Sequence, residues 1–213
     1  MRFLLLLLAF FAVPTSAQQA DRARPGFVRV RLETALGNIV LALDAKRAPE
    51  TTANFMRYVD DGRFDGISFY RVARNKSAPR FGFVQSGIRT DARRFLDMIP
   101  HESTAKTGIK HLDMTISMAR RGPPGSANGN WFITLGPNPQ MDWHKGNAGY
   151  AAFGHVVGGQ AVVKRILAQP TGQRMNGTIL LNPVYVKRAV RLDGKAQPTG
   201  RQRPWLIEGR KDG

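Results

Sequence analysis

Apolar and polar residues alternate through Val28-Arg29-Val30-Arg31-Leu32-Glu33-Thr34, the period-two pattern of a strand with one buried face. A turn at Gly37-Asn38 leads into Ile39-Val40-Leu41-Ala42-Leu43, so the chain is expected to open with a hairpin. The period then changes. Pro49 suits a first helical position, and Ala53, Phe55, Met56 and Val59 fall on one stripe before Asp60-Asp61-Gly62, which predicts a helix over about 49–59. Short runs rich in β-formers follow at 69–72, 83–87, 115–119, 131–135 and 152–157. Val162, Val163, Ile166 and Leu167 have helical spacing and Pro170 stops the segment, giving a second helix over 160–169 before a last strand over 184–192. Eight short strands with two helices predict a mainly β fold. A closed eight-stranded antiparallel barrel is the expected architecture, its ends plugged by the helices, because closure removes the exposed edges of so many strands.

Composition adds limits to this picture. The 213 residues are 42% hydrophobic, enough for one domain with a sizeable core. Residues 1–17 read as a cleaved signal peptide: Arg2, an apolar run from Phe3 to Val13, and small residues at Thr15 and Ala17, the third-last and last positions before Gln18. That run is well short of the roughly 20 residues a membrane span needs. Export to the periplasm or the medium is therefore expected, and no membrane span. Residues 18–26 form a polar lead-in, 27–192 the barrel domain, and 193–213 a basic, mobile tail with one apolar pair, Trp205-Leu206. The formal charge is +17, or +16 once Arg2 is removed, and the cations are scattered rather than blocked. This predicts a solvated basic surface with nonspecific attraction to anionic surfaces, but no dedicated nucleic-acid groove. With no Cys, disulfides and thiolate metal sites are excluded. The four histidines show no ligand spacing and read as solvated or locally bonded, so no metal and no cofactor are expected. No carboxylate pair and no Ser-His-Asp arrangement stands out.

The chemistry lies in Phe69-Tyr70-Arg71-Val72 and Phe83-Val84-Gln85-Ser86-Gly87. If both runs are extended, Phe69 and Arg71 share one face of the first and Phe83 and Gln85 one face of the second. An arginine with fixed donors beside an apolar ring suits a neutral ligand carrying a carbonyl and an apolar side chain. By the same alternation, Ser117 and Ala119 share a face, as do Asn130 and Phe132, while Met118, Trp131 and Ile133 point into the barrel.

The stretches Ala48-Pro49-Glu50-Thr51, Asn54-Phe55, 69–72, 83–87, 116–119, 130–133 and Ala152-Phe153-Gly154 together resemble the cyclophilin-type peptidyl-prolyl cis-trans isomerases, in particular the bacterial exported branch. The resemblance spans about 27–192 and implies an eight-stranded barrel with two capping helices. It implies an isomerase acting without a covalent step on X-Pro bonds of exported or periplasmic client proteins, working as a monomer. Arg71 matches the family's essential arginine and Gln85 the glutamine that supports it. Phe132 matches the proline-pocket aromatic, Ala119 and Asn130 match groove residues, and Phe83 and Met141 fall where the family has methionine and leucine. Arg120 replaces an asparagine and Tyr150 a histidine, and both are expected to face substrate. Gly82 stands where an aromatic is usual, leaving Phe81 or Phe83 to supply the ring. Gln140 replaces the tryptophan tied to tight cyclosporin binding, so reduced sensitivity is expected, with Trp143 as a substitute indole. The alternative function is a noncatalytic chaperone or proline-peptide-binding module of the same fold.

Overall fold

In strand β1 (Phe27–Thr34) the alternation is realised directly, with Val30 and Leu32 fully buried. The computed structural model describes residues 24–206. The expected signal peptide and the last seven residues lie outside them. The remaining strands are β2 (Gly37–Asp44), β3 (Ser68–Arg74), β4 (Gly82–Gly87), β5 (Thr115–Met118), β6 (Asn130–Leu135), β7 (Ala152–Gly158) and β8 (Ile179–Arg191). They close into a barrel in the order β1-β2-β7-β5-β6-β4-β3-β8, every neighbouring pair antiparallel. The expected barrel is therefore the observed one.

The opening hairpin turns two residues earlier than the Gly-Asn pair suggested. Thr34 pairs with Gly37 across Ala35-Leu36, and Gly37 takes φ 117° as the residue after the turn. The final strand begins five residues before the expected Val184, because Pro183 reads as a breaker in sequence and is accommodated by an irregularity instead. Along the β3–β8 ladder Phe69 pairs with Val184, and the next partner of Ile179 is Arg71.

Helix α1 (Pro49–Asp60) and helix α2 (Gln160–Leu167) cap opposite ends. Near α1 lie the start of β1 and the end of β8, where Arg191 holds Asp60 at 2.9 Å, while α2 packs Val162 beside Gly37 at the start of β2. Phe55 of α1 enters the barrel and meets Phe64, Phe153 and Trp131 at ring separations of 4.9, 5.4 and 5.8 Å. Phe69 closes the cluster at 5.4 Å from Trp131. With Ile133 and Met118 these rings fill the interior, as the strand alternation required.

The chain after β8 was expected to be a mobile tail. Within the described residues it instead crosses the α1 end of the barrel, which corrects that reading for 193–206. Asp193 accepts two bonds from the Arg29 side chain, at 2.7 and 3.0 Å. Thr199 donates through its amide and its hydroxyl to Asp61, at 2.7 and 2.6 Å. Asp61 also takes the Arg63 guanidinium at 2.7 Å, both side chains being buried. Burial by itself raises the Asp61 pKa, yet the Thr199 and Arg63 hydrogen bonds outweigh it and hold the carboxyl below its usual value. Trp205 lies under two guanidinium groups, Arg63 at 4.6 Å and Arg94 at 5.2 Å.

Removing that indole takes away buried ring area and two cation–π contacts. Trp205→Ala is expected to lower unfolding stability by about 2–4 kcal/mol, read as a shifted urea midpoint at constant slope. An unshifted midpoint would show that this segment does not brace the barrel.

Candidate active site

Four directly opposed residues form one row across the outer face of neighbouring strands. Arg71 of β3 pairs with Gln85 of β4, Gln85 with Phe132 of β6, and Phe132 with Ser117 of β5. Directly opposed residues of antiparallel strands sit side by side on the same face, so this register brings the four together.

Gln85 is the link between cation and barrel. Its Oε1 accepts from Arg71 Nη1 at 3.1 Å, and its Nε2 donates to the Tyr70 hydroxyl at 2.8 Å. Arg71 Nε donates to Thr178 Oγ1 at 3.2 Å, so the guanidinium is held on two sides and keeps other N–H groups for a ligand. Its Cζ lies 5.2 Å from the Phe83 ring centre. Phe83 in turn lies 5.5 Å from Phe132, and Tyr150 meets Phe132 edge-on at 5.4 Å. The result is a packed cluster of three rings with one oriented cation beside it.

Each residue singled out from the sequence can now be placed. Arg71, Gln85, Phe83, Phe132 and Tyr150 come together around the ring cluster. Ala119, Arg120 and Asn130 line an adjoining hollow that Arg71 and Gln85 also line. Arg120 lies over the Tyr150 ring at 5.2 Å and donates to the carbonyls of Gly149, at 3.0 Å, and Gly122. Asn130 grips the backbone of Arg89 through both amide atoms, accepting from its N–H at 2.7 Å and donating to its carbonyl at 3.0 Å. Met141 contributes its carbonyl, which accepts from the Tyr150 amide at 2.9 Å. Trp143 lies half exposed in the connection before β7.

One sequence argument fails. Phe69 and Arg71 do not share a face: Phe69 is fully buried against Trp131, and Tyr70 and Arg71 both meet Gln85 outside the barrel. The pairing with β8 is irregular here, Tyr70 alone standing opposite residues 180–183, and the alternation of β3 is broken because Phe69 and Val72 are both buried. Tyr70 was missed for this reason, and its phenol is held above the usual pKa by burial, against the lowering influence of Arg71. Thr178 was missed because it lies outside any periodic segment.

His111, Ser117 and Asp142 are the second omission. His111 Nδ1 lies 2.7 Å from Asp142 Oδ1, Nε2 lies 2.9 Å from Ser117 Oγ, and the ring stacks under Phe132 at 6.0 Å with a 13° tilt. The three residues come from different elements, so no spacing could reveal them. Ser117 and His111 are buried beneath Phe132, so the triad is a support for that ring and not a nucleophile. Burial lowers the His111 pKa, and the nearby Asp142 only partly opposes it.

Residues 29–189 match the model of the family described as cyclophilin type peptidyl-prolyl cis-trans isomerase/CLD. The chain belongs to this cyclophilin family. It is 37% identical over 137 residues to peptidyl-prolyl cis-trans isomerase A of Dickeya dadantii, covering 64% of this chain and 70% of that one. It is 33% identical over 165 residues to the cyp18 isomerase of Streptomyces antibioticus, covering 75% and 96%. A crystal structure of a cyclophilin-type isomerase of Cryptosporidium parvum superposes with a TM-score of 0.64 at 19% identity, over 79% of this chain and 99% of that one. The same Cryptosporidium protein in the presence of the dipeptide Ala-Pro gives 0.63 at 19% identity, over 78% and 99%.

Among cyclophilins this chain's Gly82 is a departure with a steric cause. At φ 139° a Cβ there would come within 2.0 Å of the Ala73 carbonyl oxygen, so no aromatic fits at this position. Of the two neighbouring rings, Phe83 is the one that meets Phe132 and Arg71. Phe81 turns away, under Arg80 at 4.6 Å and beside Gly136.

The His111 support predicts a pH dependence whose sign is fixed by linkage. A histidine with a depressed folded pKa binds fewer protons folded than unfolded, so its contribution is complete above its unfolded pKa of about 6.5 and lost as pH falls toward the folded value. His155, also lowered by burial, acts in the same direction. Urea midpoints measured from pH 8 to pH 5 are expected to fall below about pH 6.5, and less steeply in His111→Gln. Parallel curves for the two proteins would remove His111 from this account.

Proposed function

We propose that this cyclophilin is an active peptidyl-prolyl cis-trans isomerase in which Arg71 stabilises the twisted amide, acting on proteins outside the cytoplasm. The observation that carries the reading is the guanidinium of Arg71, fixed by Gln85 and Thr178 beside the packed rings of Phe83 and Phe132. The extracytoplasmic setting rests on the leader-like pattern of residues 1–17, and fits the bacterial exported branch of the family.

Rotation about an X-Pro bond meets a barrier near 18–20 kcal/mol and takes tens to hundreds of seconds unaided. Millisecond turnover requires about 6–7 kcal/mol of stabilisation specific to the transition state, since each 1.4 kcal/mol is about tenfold. No bond to the protein has to form. In the planar ground state the prolyl nitrogen lone pair is delocalised. As the amide twists, the lone pair localises on nitrogen and becomes an acceptor for the N–H groups Arg71 keeps free, an interaction absent from the ground state. Phe83 and Phe132 hold the pyrrolidine ring while the preceding carbonyl swings, so rotation occurs on one side of a fixed ring. Gln85 and Thr178 keep the guanidinium from following the substrate, so its donors stay aimed at the nitrogen.

Arg71→Ala is expected to lose about 10- to 100-fold or more in kcat/KM on an Ala-Pro peptide, the loss expected for a charge-assisted hydrogen bond of about 1.5–3 kcal/mol. Arg71→Lys should also be impaired, because a point charge cannot take the two-sided grip of Gln85 and Thr178. Equal rates for wild type and Arg71→Ala in a protease-coupled assay would end this reading. Peptide binding without turnover would favour a noncatalytic module.

A further inference from the structure

Beside the ring site lies a hollow of about 320 Å³, and its wall is cationic: Arg71, Arg89, Arg120 and Arg121 all line it, with no acidic residue among the lining. We propose that this hollow binds a side-chain carboxylate of the substrate, so that the protein prefers proline segments carrying Asp or Glu within three residues of the proline. The proposal rests on the isomerase reading above and names the substrate class it serves.

Three observations carry it. Arg89, Arg120 and Arg121 have no carboxylate within ion-pair distance among the described residues, and the acid next in sequence, Asp91, is already taken by Arg93 and Arg94 at 3.0 and 3.4 Å. Arg120 spends its donors on the Gly149 and Gly122 carbonyls, which fix its position without neutralising it.

Arg89 is also placed at a conformational expense. It takes φ 56°, uncommon for a residue with a side chain, and Asn130 clamps its amide and carbonyl in that shape. The guanidinium then lies over the Tyr70 ring at 5.1 Å. A flexible surface cation needs no such scaffold.

The third observation is position. Arg71 and Gln85 line this hollow and also stand beside Phe83 and Phe132, so a peptide whose proline packs against those rings has neighbouring residues beside the arginines. A planar guanidinium matches a carboxylate in two-point fashion, and several in one concavity leave an incoming anion with a partner in more than one rotamer. A Lys side chain in the same place meets like charge.

The test is kcat/KM for a peptide series around one Ala-Pro core, in which each of the three residues on either side of the proline is in turn Ala, Glu or Lys. Wild type should favour Glu over Lys by about tenfold or more at one position at least, shrinking at 0.5 M salt because the site is open to solvent. In the double variant Arg89→Asn, Arg121→Ser the ratio should fall below about threefold, and Arg121→Glu should reverse it, each normalised to that variant's own rate on the all-Ala peptide. Asn tolerates the left-handed backbone at position 89, which keeps the clamp. Lys46→Ala, which removes one charge outside the hollow and the ring site, should keep the wild-type ratio. Turnover of the all-Ala peptide with no Glu preference at any position would overturn this inference alone. An equal loss of preference in Lys46→Ala would also overturn it, assigning the effect to net charge. No turnover of any peptide would overturn the isomerase reading first.

Discussion

Everything in the candidate site hangs on the register that sets Arg71, Gln85, Phe132 and Ser117 in one line across β3, β4, β6 and β5. In a closed barrel that line is not adjustable. A strand can slip only by turning its buried side chains outward, and Val72, Val84, Trp131 and Ile116 on the inner face are all essentially buried. The aromatic interior therefore fixes the outer row. Phe55, Phe69, Phe153 and Trp131 interlock at centroid separations of 5.4 to 5.8 Å, and no polar group of the site takes part in that packing. Stability and chemistry occupy opposite faces of the same strands.

The row alone would leave the cation loosely held, and the break in β3 corrects that. With Phe69 inside, a regular strand would send Tyr70 outward and Arg71 inward. Because Val72 is buried as well, Tyr70 and Arg71 both lie outside, where the Tyr70 hydroxyl takes one end of the Gln85 amide and Arg71 the other. Fixing both ends of the amide fixes its flip, so the oxygen faces the guanidinium. Opposite the break, β8 carries residues 180–183 out of the ladder, and the turn before it brings Thr178 to Arg71 Nε. A defect in the sheet thus supplies two of the three groups that orient the cation.

This explains what the sequence could and could not convey. Alternation and helical spacing located every strand and both long helices, because burial on one face leaves a periodic trace. The inward direction of Met118, Trp131 and Ile133 was legible for the same reason. The break at Tyr70 was not, since alternation assumes a regular strand and a break in it leaves no composition signal. Pro183 hid the first part of β8 by looking like a breaker. His111, Asp142 and Ser117 meet only in three dimensions, as do Trp205, Arg63 and Arg94, so the support beneath Phe132 and the docking of the C-terminal segment were out of reach. Trp205-Leu206 was a visible apolar pair, but its partners are 142 and 111 residues away in sequence.

The departures from the family pattern are linked to one another. The backbone at Gly82 passes so close to Ala73 that a side chain is excluded, which leaves Phe83 as the ring beside Phe132. Phe83 projects outward on the same face as Gln85, so its ring comes within cation–π distance of Arg71 while still touching Phe132. Tyr150 closes the opposite edge of Phe132 and carries Arg120 on its far side. Arg71–Phe83–Phe132–Tyr150–Arg120 is therefore a continuous sequence of contacts with a guanidinium at each end and apolar rings between. Each end is tied down separately, Arg71 through Gln85 and Thr178 and Arg120 through glycine carbonyls, so the position of neither cation depends on the rings alone.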